Sequence, residues 1–487
     1  MLTRRAFLAS ALAAAAQTSN HRPNVVFLSV DDLNDWVGCL GGYPGVQTPN
    51  IDRLARRGVL FSNAHCPSPL CNPSRTALLT GRRPSTTGIY NNDQFWRPAL
   101  PDVITLPAYF KQNGYTVAGA GKVFHHTSGF NPPDQWHEFQ LQVFDDPWYR
   151  RDEWYPWNKR IPNPPGHPFN GLRDFQGEFD WGVLPSKPES EYGDRKAVEF
   201  GQQFLARSHD KPFFLAVGLW HPHIPMFSPQ NYYDLYRDVR LPEIREDDLD
   251  DVPAVGQEFA AFRRSEHERI VKEGKWREAV HSYLAAVSFA DAMIGRLVDT
   301  LERSSYARNT ILVFWSDNGW HLGEKRHWHK STLWRRSTRV PLIFHTPGMR
   351  DSGKARPQPV NLLDLYPTLV ELCGLPARTD LDGLSLSPLL KNARAKRQPT
   401  VSTYLPGNHA VIDERFRYIR YRDGGEELYD HFHDPHEFTN IASDPRHAER
   451  KKEMARWMPS SNAPPKPERT AYDFDFATYT YKLKPKP

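Results

Sequence analysis

Residues that could bind a metal ion or move protons follow four short apolar segments of the chain, at the point where each segment ends. The segments are NVVFLSV (24–30), YTVAGA (115–120), FFLAVGLW (213–220) and TILVFWS (310–316). The polar residues that follow them are, in the same order, Asp31 and Asp32, Lys122 and His125, His221 and His223, and Asp317 and Asn318. Open α/β sheets bind ligands outside the carboxyl ends of their strands, so these four ends predict one shared site.

The two acidic ends indicate a site for a hard divalent cation. They offer only oxygen ligands, which suit Ca²⁺ or Mg²⁺ better than a zinc ion held by His and Cys. The ligands would be Asp31, Asp32, Asp317 and Asn318. An aspartate pair at a strand end can also cap a helix or fix a turn. Two such pairs in one α/β layer favour the metal site over that structural role.

The two basic ends are suited to binding an anion and transferring protons. They contain Lys122-x-x-His125 and His221-x-His223. Either motif alone is more often structural than catalytic. The catalytic interpretation therefore depends on both motifs lying beside the acidic ends.

A cysteine motif distinguishes one further segment from an ordinary loop. Cys71-Asn72-Pro73-Ser74-Arg75 is followed by Thr80-Gly81-Arg82. Cys66 also precedes a proline, but Leu70 occupies the place where Cys71 has Arg75. The four cysteines, at 39, 66, 71 and 373, show neither metal-type spacing nor a dense disulfide framework, and the spacing assigns no disulfide pair. For the three others, a buried or paired thiol is the ordinary expectation.

Amphipathic helices separate the apolar segments. TPNIDRLARRGVLF (48–61) and YLAAVSFADAMIGRLVDTLE (283–302) repeat apolar residues at three- and four-residue steps, and Pro49 is placed to begin the first helix. Strands that alternate with helices predict an α/β fold with a large, mostly parallel sheet covered by helices. We expect the catalytic domain to span 22–375.

Two regions depart from this alternation. Residues 131–190 are rich in Trp, Tyr and Pro, which predicts a long ordered insertion near the site. Its aromatic side chains would either stack on a sugar ring or pack on the surface. Residues 415–438 alternate in strand fashion around Gly424-Gly425. This pattern predicts a smaller C-terminal subdomain with an antiparallel sheet, followed by a tail, over 376–487.

Length and composition limit the classes of function. The 487 residues are 39% hydrophobic and 24% charged, as in a soluble protein with a substantial core. The net charge of +5 is mild and no dense Lys/Arg stripe occurs, so nucleic-acid binding is not expected. After the N-terminus no apolar run is long enough to cross a membrane, so we expect no stable membrane insertion.

The N-terminus is typical of a bacterial export signal. Arg4 and Arg5 precede an apolar run, Ala6 to Ala16, that ends with a small-residue cleavage pattern. This pattern indicates a twin-arginine signal over 1–20 and an exported, periplasmic or extracellular protein. The alternative is an amphipathic first helix, although the run has no polar face.

The chain resembles the formylglycine-dependent sulfatases of the alkaline phosphatase-like superfamily, whose signature is Cys-x-Pro-x-Arg with a downstream Thr-Gly-Arg. Longer stretches, such as DDLNDWVGCLGGYPGVQTPNIDRLARRGVLFSNAHC, GKVFHH, FFLAVGLWHPHIP and SDNGWHLGE, are similar to the iduronate 2-sulfatase group and its bacterial relatives. The resemblance runs in order through 22–375 and extends weakly through ELYD (427–430). It implies an alkaline phosphatase-like core and a sulfuric ester hydrolase acting on a sulfated carbohydrate.

The resemblance also implies a modified nucleophile. A formylglycine-generating enzyme would oxidise Cys71 to formylglycine (3-oxoalanine), and one hydroxyl of the hydrated aldehyde would attack the sulfur of the ester. The second hydroxyl would then lose its proton and expel sulfate. A serine has only one hydroxyl and could not carry out this second step. One Ca²⁺ ion would be held by the modified Cys71 together with Asp31, Asp32, Asp317 and Asn318.

The same resemblance implies roles for five further residues. Arg75 would steady the nucleophile and its charge, while Lys122 and Lys330 would bind the sulfate oxygens. His125 would be the base that regenerates the aldehyde. His223 would contact the sulfate and help protonate the leaving alcohol.

Two positions differ from the pattern of the iduronate 2-sulfatases. His221 stands where they tend to have lysine, so an imidazole replaces a fixed charge near the substrate and a preference for iduronate is in doubt. Asn318 stands where they have histidine, although it matches the wider sulfatase family. The motifs specify neither the sugar nor the oligomeric state.

Two other functions are consistent with part of the pattern. A phosphatase or phosphodiesterase of the same superfamily typically uses Thr or Ser with two transition-metal ions, and the cysteine motif argues against it. A non-catalytic binder of sulfated glycans would leave Cys71 as a thiol.

Overall fold

The computed structural model describes residues 22–140, 168–172, 179–184, 187–349 and 352–485. The predicted export signal over 1–20 lies outside these residues. Most of the aromatic part of the predicted insertion at 131–190 also lies outside them. Both therefore stay predictions.

A seven-stranded sheet forms the centre of the described part of the chain. Its strands are β1 (Asn24–Val30), β2 (Val59–Leu60), β3 (Thr116–Gly121), β4 (Glu138–Gln140), β5 (Phe213–Gly218), β6 (Thr310–Ser316) and β7 (Leu342–His345). Their order across the sheet is β2-β7-β6-β1-β5-β3-β4. The five strands from β6 to β4 run parallel, and β7 is antiparallel to both of its neighbours. The predicted α/β fold with a mostly parallel sheet is confirmed.

The register of the sheet aligns the predicted strand ends. Val30 pairs with Ser316, and Gly218 pairs with both Ser29 and Gly121. Because parallel strands share one direction, the polar residues that follow these strands begin at the same edge of the sheet.

Helices cover both faces of this sheet. The longer helices of the described ranges are α1 (Pro49–Arg57), α2 (Cys71–Thr80), α3 (Leu106–Gln112), α4 (Gly193–Ala206), α5 (Ala254–Ala261), α6 (Arg264–Lys272), α7 (Trp276–Arg303), α8 (Leu365–Leu372) and α9 (Ala448–Ala455). Alternate residues of β1 enter two cores: Val26 and Leu28 pack in the core that contains α7, whereas Val25 and Phe27 pack in the core that contains α8. This division follows from the two-residue period of a strand. No helix in the described ranges is long and apolar enough to span a bilayer.

The first predicted helix, 48–61, is shorter than expected. It ends at Arg57, and Val59–Leu60 form strand β2 beside β7. Gly58 permits this change of direction because a Cβ there would lie only 2.4 Å from the carbonyl oxygen of Phe344. The second predicted helix is longer than expected and begins at Trp276.

A four-stranded antiparallel sheet follows the central one. Its strands are β8 (Thr400–Thr403), β9 (His409–Ile412), β10 (Phe416–Arg420) and β11 (Glu426–Asp430), paired in chain order. The turn predicted at Gly424-Gly425 joins β10 to β11, which confirms the predicted antiparallel sheet. The domain boundary at 375/376 stays a prediction.

Glu437 ties this sheet to the segment that carries Arg335. Its carboxylate pairs with Arg417 of β10 at 2.7 Å and with His431 at 2.8 Å, and it accepts the backbone N–H of Arg335 at 2.7 Å. Burial by itself favours the neutral acid, but Arg417 and His431 outweigh it and lower the pKa of Glu437 to about 2. The ionised side chain therefore stabilises the folded state.

We expect this contribution to be lost in acid. The pKa of glutamate in an unfolded chain is about 4.3, so the stabilisation is complete above that pH and falls as the pH drops towards the folded value. The shift corresponds to about 3 kcal/mol. Urea unfolding should show Glu437→Gln to be less stable than the wild type by roughly that amount at neutral pH, and by much less near pH 3.

The exposed Glu449 offers the matched control, because Glu449→Gln should change stability little at either pH. A difference between wild type and Glu437→Gln that stays constant from neutral to acid pH would show that Glu437 is not ionised by its partners.

Candidate active site

Cys71 is the first residue of α2, and the whole of this helix is buried. Only 1% of Cys71 is exposed. Pro73 suits the first helical turn because its missing N–H would have no partner there. Negative charge that develops on the Cys71 side chain would be favoured by the N-terminal end of the helix.

Two lysines lie against the sulfur of Cys71. Lys330 Nζ is 3.0 Å from Cys71 Sγ, and Lys122 Nζ is 3.9 Å from it. Lys330 also contacts both carboxylate oxygens of Asp32, at 2.6 and 2.7 Å, and Lys122 pairs with Asp31. The carboxylates thus hold two ammonium groups facing one side chain, which is an arrangement suited to a doubly or singly charged oxyanion.

The thiol of Cys71 is not activated by this environment. Burial and the nearby charge of Asp31 raise its pKa to about 12, although the two lysines oppose the shift. A cysteine nucleophile normally needs a lowered pKa, because the thiolate is the reactive form. In this environment the protonated thiol is therefore a weak nucleophile.

Three carboxylates and one amide form an oxygen-rich cluster beside Cys71. Oxygen atoms of Asp31, Asp32 and Asp317 lie within 4.8 Å of one another, and all three residues are buried. Burial raises the pKa of Asp32 and of Asp317, and the charge of Asp31 raises both further. Asn318 donates to Asp32 at 2.7 Å, while its own buried Oδ1 accepts no hydrogen bond among the described residues. Crowded carboxylates and an unpartnered amide oxygen fit a hard divalent cation.

Arg75 holds this cluster together. Its Nε donates to Asp317 at 2.8 Å, one Nη donates to Asp31 at 3.2 Å, and the other Nη donates to the carbonyl oxygens of Lys122 and Val123. All but one of its N–H groups are used in this way. Arg75 thus positions the carboxylates, and its charge lies close enough to Cys71 for the two to interact.

His223 is placed to accept a proton at Nε2. Its Nδ1 donates to the carbonyl oxygen of Ile224, which leaves Nε2 as the acceptor of the neutral ring, 3.5 Å from Asp32. Burial, followed by Lys122 and Lys330, holds the pKa of His223 well below its usual range. One ring nitrogen of His223 also lies within 4.8 Å of Cys71 Sγ and of a carboxylate oxygen of Asp31.

His125 is a second buried, neutral imidazole. Burial and the charge of Lys122 hold its pKa well below the usual range. Its Nδ1 is buried and has no hydrogen-bond partner in the described part of the chain. A neutral ring with a free nitrogen beside these cations is suited to act as a base.

His221 does not take the place expected of a substrate-reading group. Its Nδ1 pairs with Asp194 at 2.7 Å, and its Nε2 donates to the carbonyl oxygen of Phe227 at 2.7 Å. Asp194 also accepts the backbone N–H groups of Trp220 and His221, at 2.6 and 3.0 Å. The imidazole therefore anchors the turn that carries His223. The presence of histidine instead of lysine at position 221 thus affects how this turn folds.

The sequence did not single out several residues that position the site. Asp194 lies in the first turn of α4, and Tyr283 of α7 donates to the backbone carbonyl of Asp32 at 2.9 Å. Ser74 donates to the carbonyl oxygen of Asp317 at 2.5 Å. Ser74 was inside the cysteine motif and could have been recognised, but no local pattern marks Asp194 or Tyr283.

The structure thus brings together most of the predicted site residues. Direct contacts join Cys71, Arg75, Lys122, Lys330, Asp31, Asp32, Asp317, Asn318 and His223. His125 joins them through its interaction with their charges. Their chemical roles stay predictions. None of the four cysteines, all of which lie in the described ranges, forms a disulfide.

Comparison with protein-family models finds two matches. The model described as Sulfatase matches residues 23–375, which include every predicted site residue. A second model, described as N-sulphoglucosamine sulphohydrolase, C-terminal, matches residues 323–463.

Individual proteins and structures give the same picture. A sulfatase of Formosa agariphila is 38% identical over 457 residues, which cover 91% of this chain and 87% of that protein. Iduronate 2-sulfatase of Homo sapiens is 32% identical over 457 residues, which cover 84% and 80%. The solved structure of a 2-O GAG sulfatase has the same fold, with a TM-score of 0.67 at 24% identity over 90% of this chain and 91% of that chain.

Proposed function

The chain belongs to the sulfatase family and is an enzyme that hydrolyses sulfate esters, and from this premise we propose that its substrates are sulfated carbohydrates. The observation that carries the proposal is the placement of Cys71 Sγ between Lys330 Nζ at 3.0 Å and Lys122 Nζ at 3.9 Å, beside the carboxylate cluster. Iduronate 2-sulfatase among its relatives supports a sugar as the carrier of the ester.

We further propose that Cys71 is converted to formylglycine and that one Ca²⁺ ion is held by Asp31, Asp32, Asp317 and Asn318 beside it. The modified residue and the ion together supply a hydrated aldehyde as nucleophile and a Lewis acid for it. The raised pKa of the Cys71 thiol supports a modified residue, since the thiol would be protonated and unreactive at neutral pH. The unpartnered Oδ1 of Asn318 supports the cation.

The two lysines would bind the sulfate group of the ester. Their ammonium groups face the position of the nucleophile because Asp31 and Asp32 hold them there. Burial makes this pairing strong, since a charge that is shielded from water interacts more strongly with an oxyanion. Lys122 and Lys330 would therefore orient the sulfur for attack and stabilise negative charge on its oxygens.

The two histidines would move protons. His125, neutral and unpartnered at Nδ1, would accept the proton whose loss releases sulfate. His223 presents Nε2 as an acceptor in the unliganded protein. A bound sulfate ester adds negative charge next to this nitrogen and raises its affinity for a proton, which His223 can then give to the leaving alcohol.

A direct comparison of esters tests the proposal. Purified enzyme should release sulfate from an aryl sulfate and from sulfated mono- and oligosaccharides, and it should hydrolyse the matched aryl phosphate far more slowly. Faster turnover of the phosphate would favour a phosphatase of the same superfamily. The absence of any turnover, together with binding of the sulfated sugars, would favour a non-catalytic glycan binder.

Removal of calcium is expected to lower both activity and stability. Without a cation, the crowded carboxylates of Asp32 and Asp317 stay partly protonated because burial and mutual repulsion raise their pKa. Dialysis against a chelator should reduce activity by at least roughly tenfold and lower the melting temperature, since a ligand that binds only the folded state stabilises it.

Calcium chloride should restore both properties, and potassium chloride at the same ionic strength, about three times the molar concentration, provides the control. Activity and melting temperature that are unchanged after verified removal of metal would contradict the proposed calcium site.

A further inference from the structure

A second cavity lies apart from Cys71, between the loop at 35–42, the segment 321–339 and residues 435–438. We call it the Arg335 cavity. It has a volume of about 270 Å³, close to the lower end of the range of about 300–1,000 Å³ that is usual for small-ligand pockets. Its walls contain none of the residues predicted for the active site. Its basic side chains are Lys325, Arg335, Arg336 and Arg339, and its acidic side chains are Asp35, Glu243, Asp248, Glu324 and Glu437.

Three of these four cations have carboxylate partners. Arg336 and Arg339 both pair with Asp35, one on each carboxylate oxygen, and Arg339 does so at 2.8 Å. Lys325 pairs with Asp248 at 2.5 Å. Arg336 also pairs with Glu324 at 2.8 Å. Both carboxylate oxygens of Asp35 are thus taken, and in the described ranges Asp248 pairs with Lys325 and not with Arg335.

Arg335 has no such partner in the described ranges. The side-chain hydrogen bond found for it is a long one, from Nη1 to the carbonyl oxygen of Pro435 at 3.4 Å. Glu437 lies near, but it binds the backbone N–H of Arg335 and is otherwise used by Arg417 and His431. Arg335 therefore offers an unpaired guanidinium to the cavity.

The surroundings make this unpaired charge costly. Burial, and then the like charge of Arg339, lower the pKa of Arg335 to about 10. A guanidinium that is partly removed from water and not paired loses hydration without a compensating ion pair. An oxyanion bound in the cavity would supply the missing partner, and the planar fork of arginine suits both carboxylate and sulfate.

Two aromatic rings favour an anion carried by a sugar in this cavity. The rings of His436 and Phe438 line it and stack at a centroid distance of 5.3 Å with an interplanar angle of 27°. Aromatic faces of this kind contact the apolar face of a sugar ring. Free sulfate would use the arginine but gain nothing from these rings.

We propose that the Arg335 cavity is a second anion site, separate from Cys71, that binds a carboxylate or sulfate group carried by a sugar. The proposal rests on the proposed function only in one respect, namely that the anion is carried by a sugar. The unpaired guanidinium would bind an oxyanion whatever reaction occurs at Cys71. In an acidic polysaccharide, such a site would hold a residue of the chain away from the bond that is being hydrolysed.

Calorimetric titration in a Cys71→Ala background tests the proposal without turnover. The probes are sodium sulfate, sodium glucuronate and a sulfated disaccharide, at constant ionic strength. We expect two binding events for the sulfated disaccharide with Cys71→Ala and one with Cys71→Ala/Arg335→Gln. Tighter binding of the sugar-borne probes than of sulfate at the lost site would identify the sugar as the source. The reverse order would identify free sulfate as the source and overturn the sugar assignment.

Arg326→Gln is the matched control, because Arg326 lies in the same segment but donates to the carbonyl oxygen of Glu246 outside the cavity. It should keep both binding events. Equal numbers of sites and equal affinities with and without Arg335→Gln would overturn the proposal.

Thermal unfolding without anions separates a binding role from a structural one. Removal of an unpaired, partly buried charge should leave the melting temperature of Arg335→Gln unchanged or raised. A clear decrease would show that Arg335 stabilises the protein, and would overturn the proposal if both binding events also persisted. Arg335→Gln should keep its activity on an aryl sulfate. A failure of the anion-site proposal can therefore be distinguished from a failure of the function proposed for Cys71.

Discussion

Replacing Cys71 with serine is expected to reduce the release of sulfate from sulfate esters by roughly a thousandfold or more. Serine is close to cysteine in size, and the fully buried α2 should fold around it. It has no thiol to be oxidised to an aldehyde, and therefore no second hydroxyl with which to release sulfate. Lys122 and Lys330 remain in place, so substrate binding should change much less than turnover.

Steady-state kinetics with an aryl sulfate would measure this loss as a fall in kcat at similar KM. Cys66→Ser is the matched control, because Cys66 is equally buried and precedes a proline but lacks the motif. Mass spectrometry of the tryptic peptide from Gly58 to Arg75, which contains both cysteines, should show the aldehyde at Cys71 and a thiol at Cys66. Full activity of Cys71→Ser, or an unmodified Cys71 in active enzyme from its native host, would refute the proposed nucleophile.

Replacing Arg75 with methionine is expected to remove activity and to destabilise the fold by about 3–5 kcal/mol. Arg75 is fully buried between two carboxylates, those of Asp31 and Asp317. Removal of the guanidinium leaves both acids without this partner, and it also leaves the carbonyl oxygens of Lys122 and Val123 without their donor. The aspartates would then gain protons, which would weaken the cation site.

Urea unfolding followed by circular dichroism would measure this loss. Arg82→Met is the matched control, since Arg82 pairs with Asp380 at 2.8 Å but has a side chain that is 33% exposed. A surface pair of this kind is worth about 0–1 kcal/mol. Similar free energies of unfolding for the two variants would mean that Arg75 is not needed to stabilise the buried carboxylates of Asp31 and Asp317.

The secondary structure followed closely from local patterns in the sequence. NVVFLSV and TILVFWS form β1 and β6 with the predicted bounds, because a run of apolar residues of this length is stable only when both faces of the strand are buried. The errors concern boundaries. The helix predicted over 48–61 ends at Arg57, since contact with β7 is a tertiary property that local periodicity does not contain.

Residue types around Cys71 were also accessible from the sequence, but the contacts were not. Lys330 follows α7 and β6 by many residues, yet its Nζ lies 3.0 Å from Cys71 Sγ. The motif drew attention to Cys71 and Arg75, whereas the distance between Lys330 and Cys71 depends on how the segment after β6 folds back. The resemblance to sulfatases, and not spacing, supplied Lys330.

His221 and Arg335 show what only the tertiary structure decided. By itself, the sequence determined the fold class, the acidic and basic strand ends and the cysteine motif, since these depend on residue types and short spacings. It placed His221 near the substrate, but the ring is used by Asp194 and Phe227. It gave no sign of Arg335, because whether a charge is paired depends on which distant carboxylates reach it. Burial and pairing belong to the folded chain, and they separate a side chain that supports the fold from one that is free to bind a ligand.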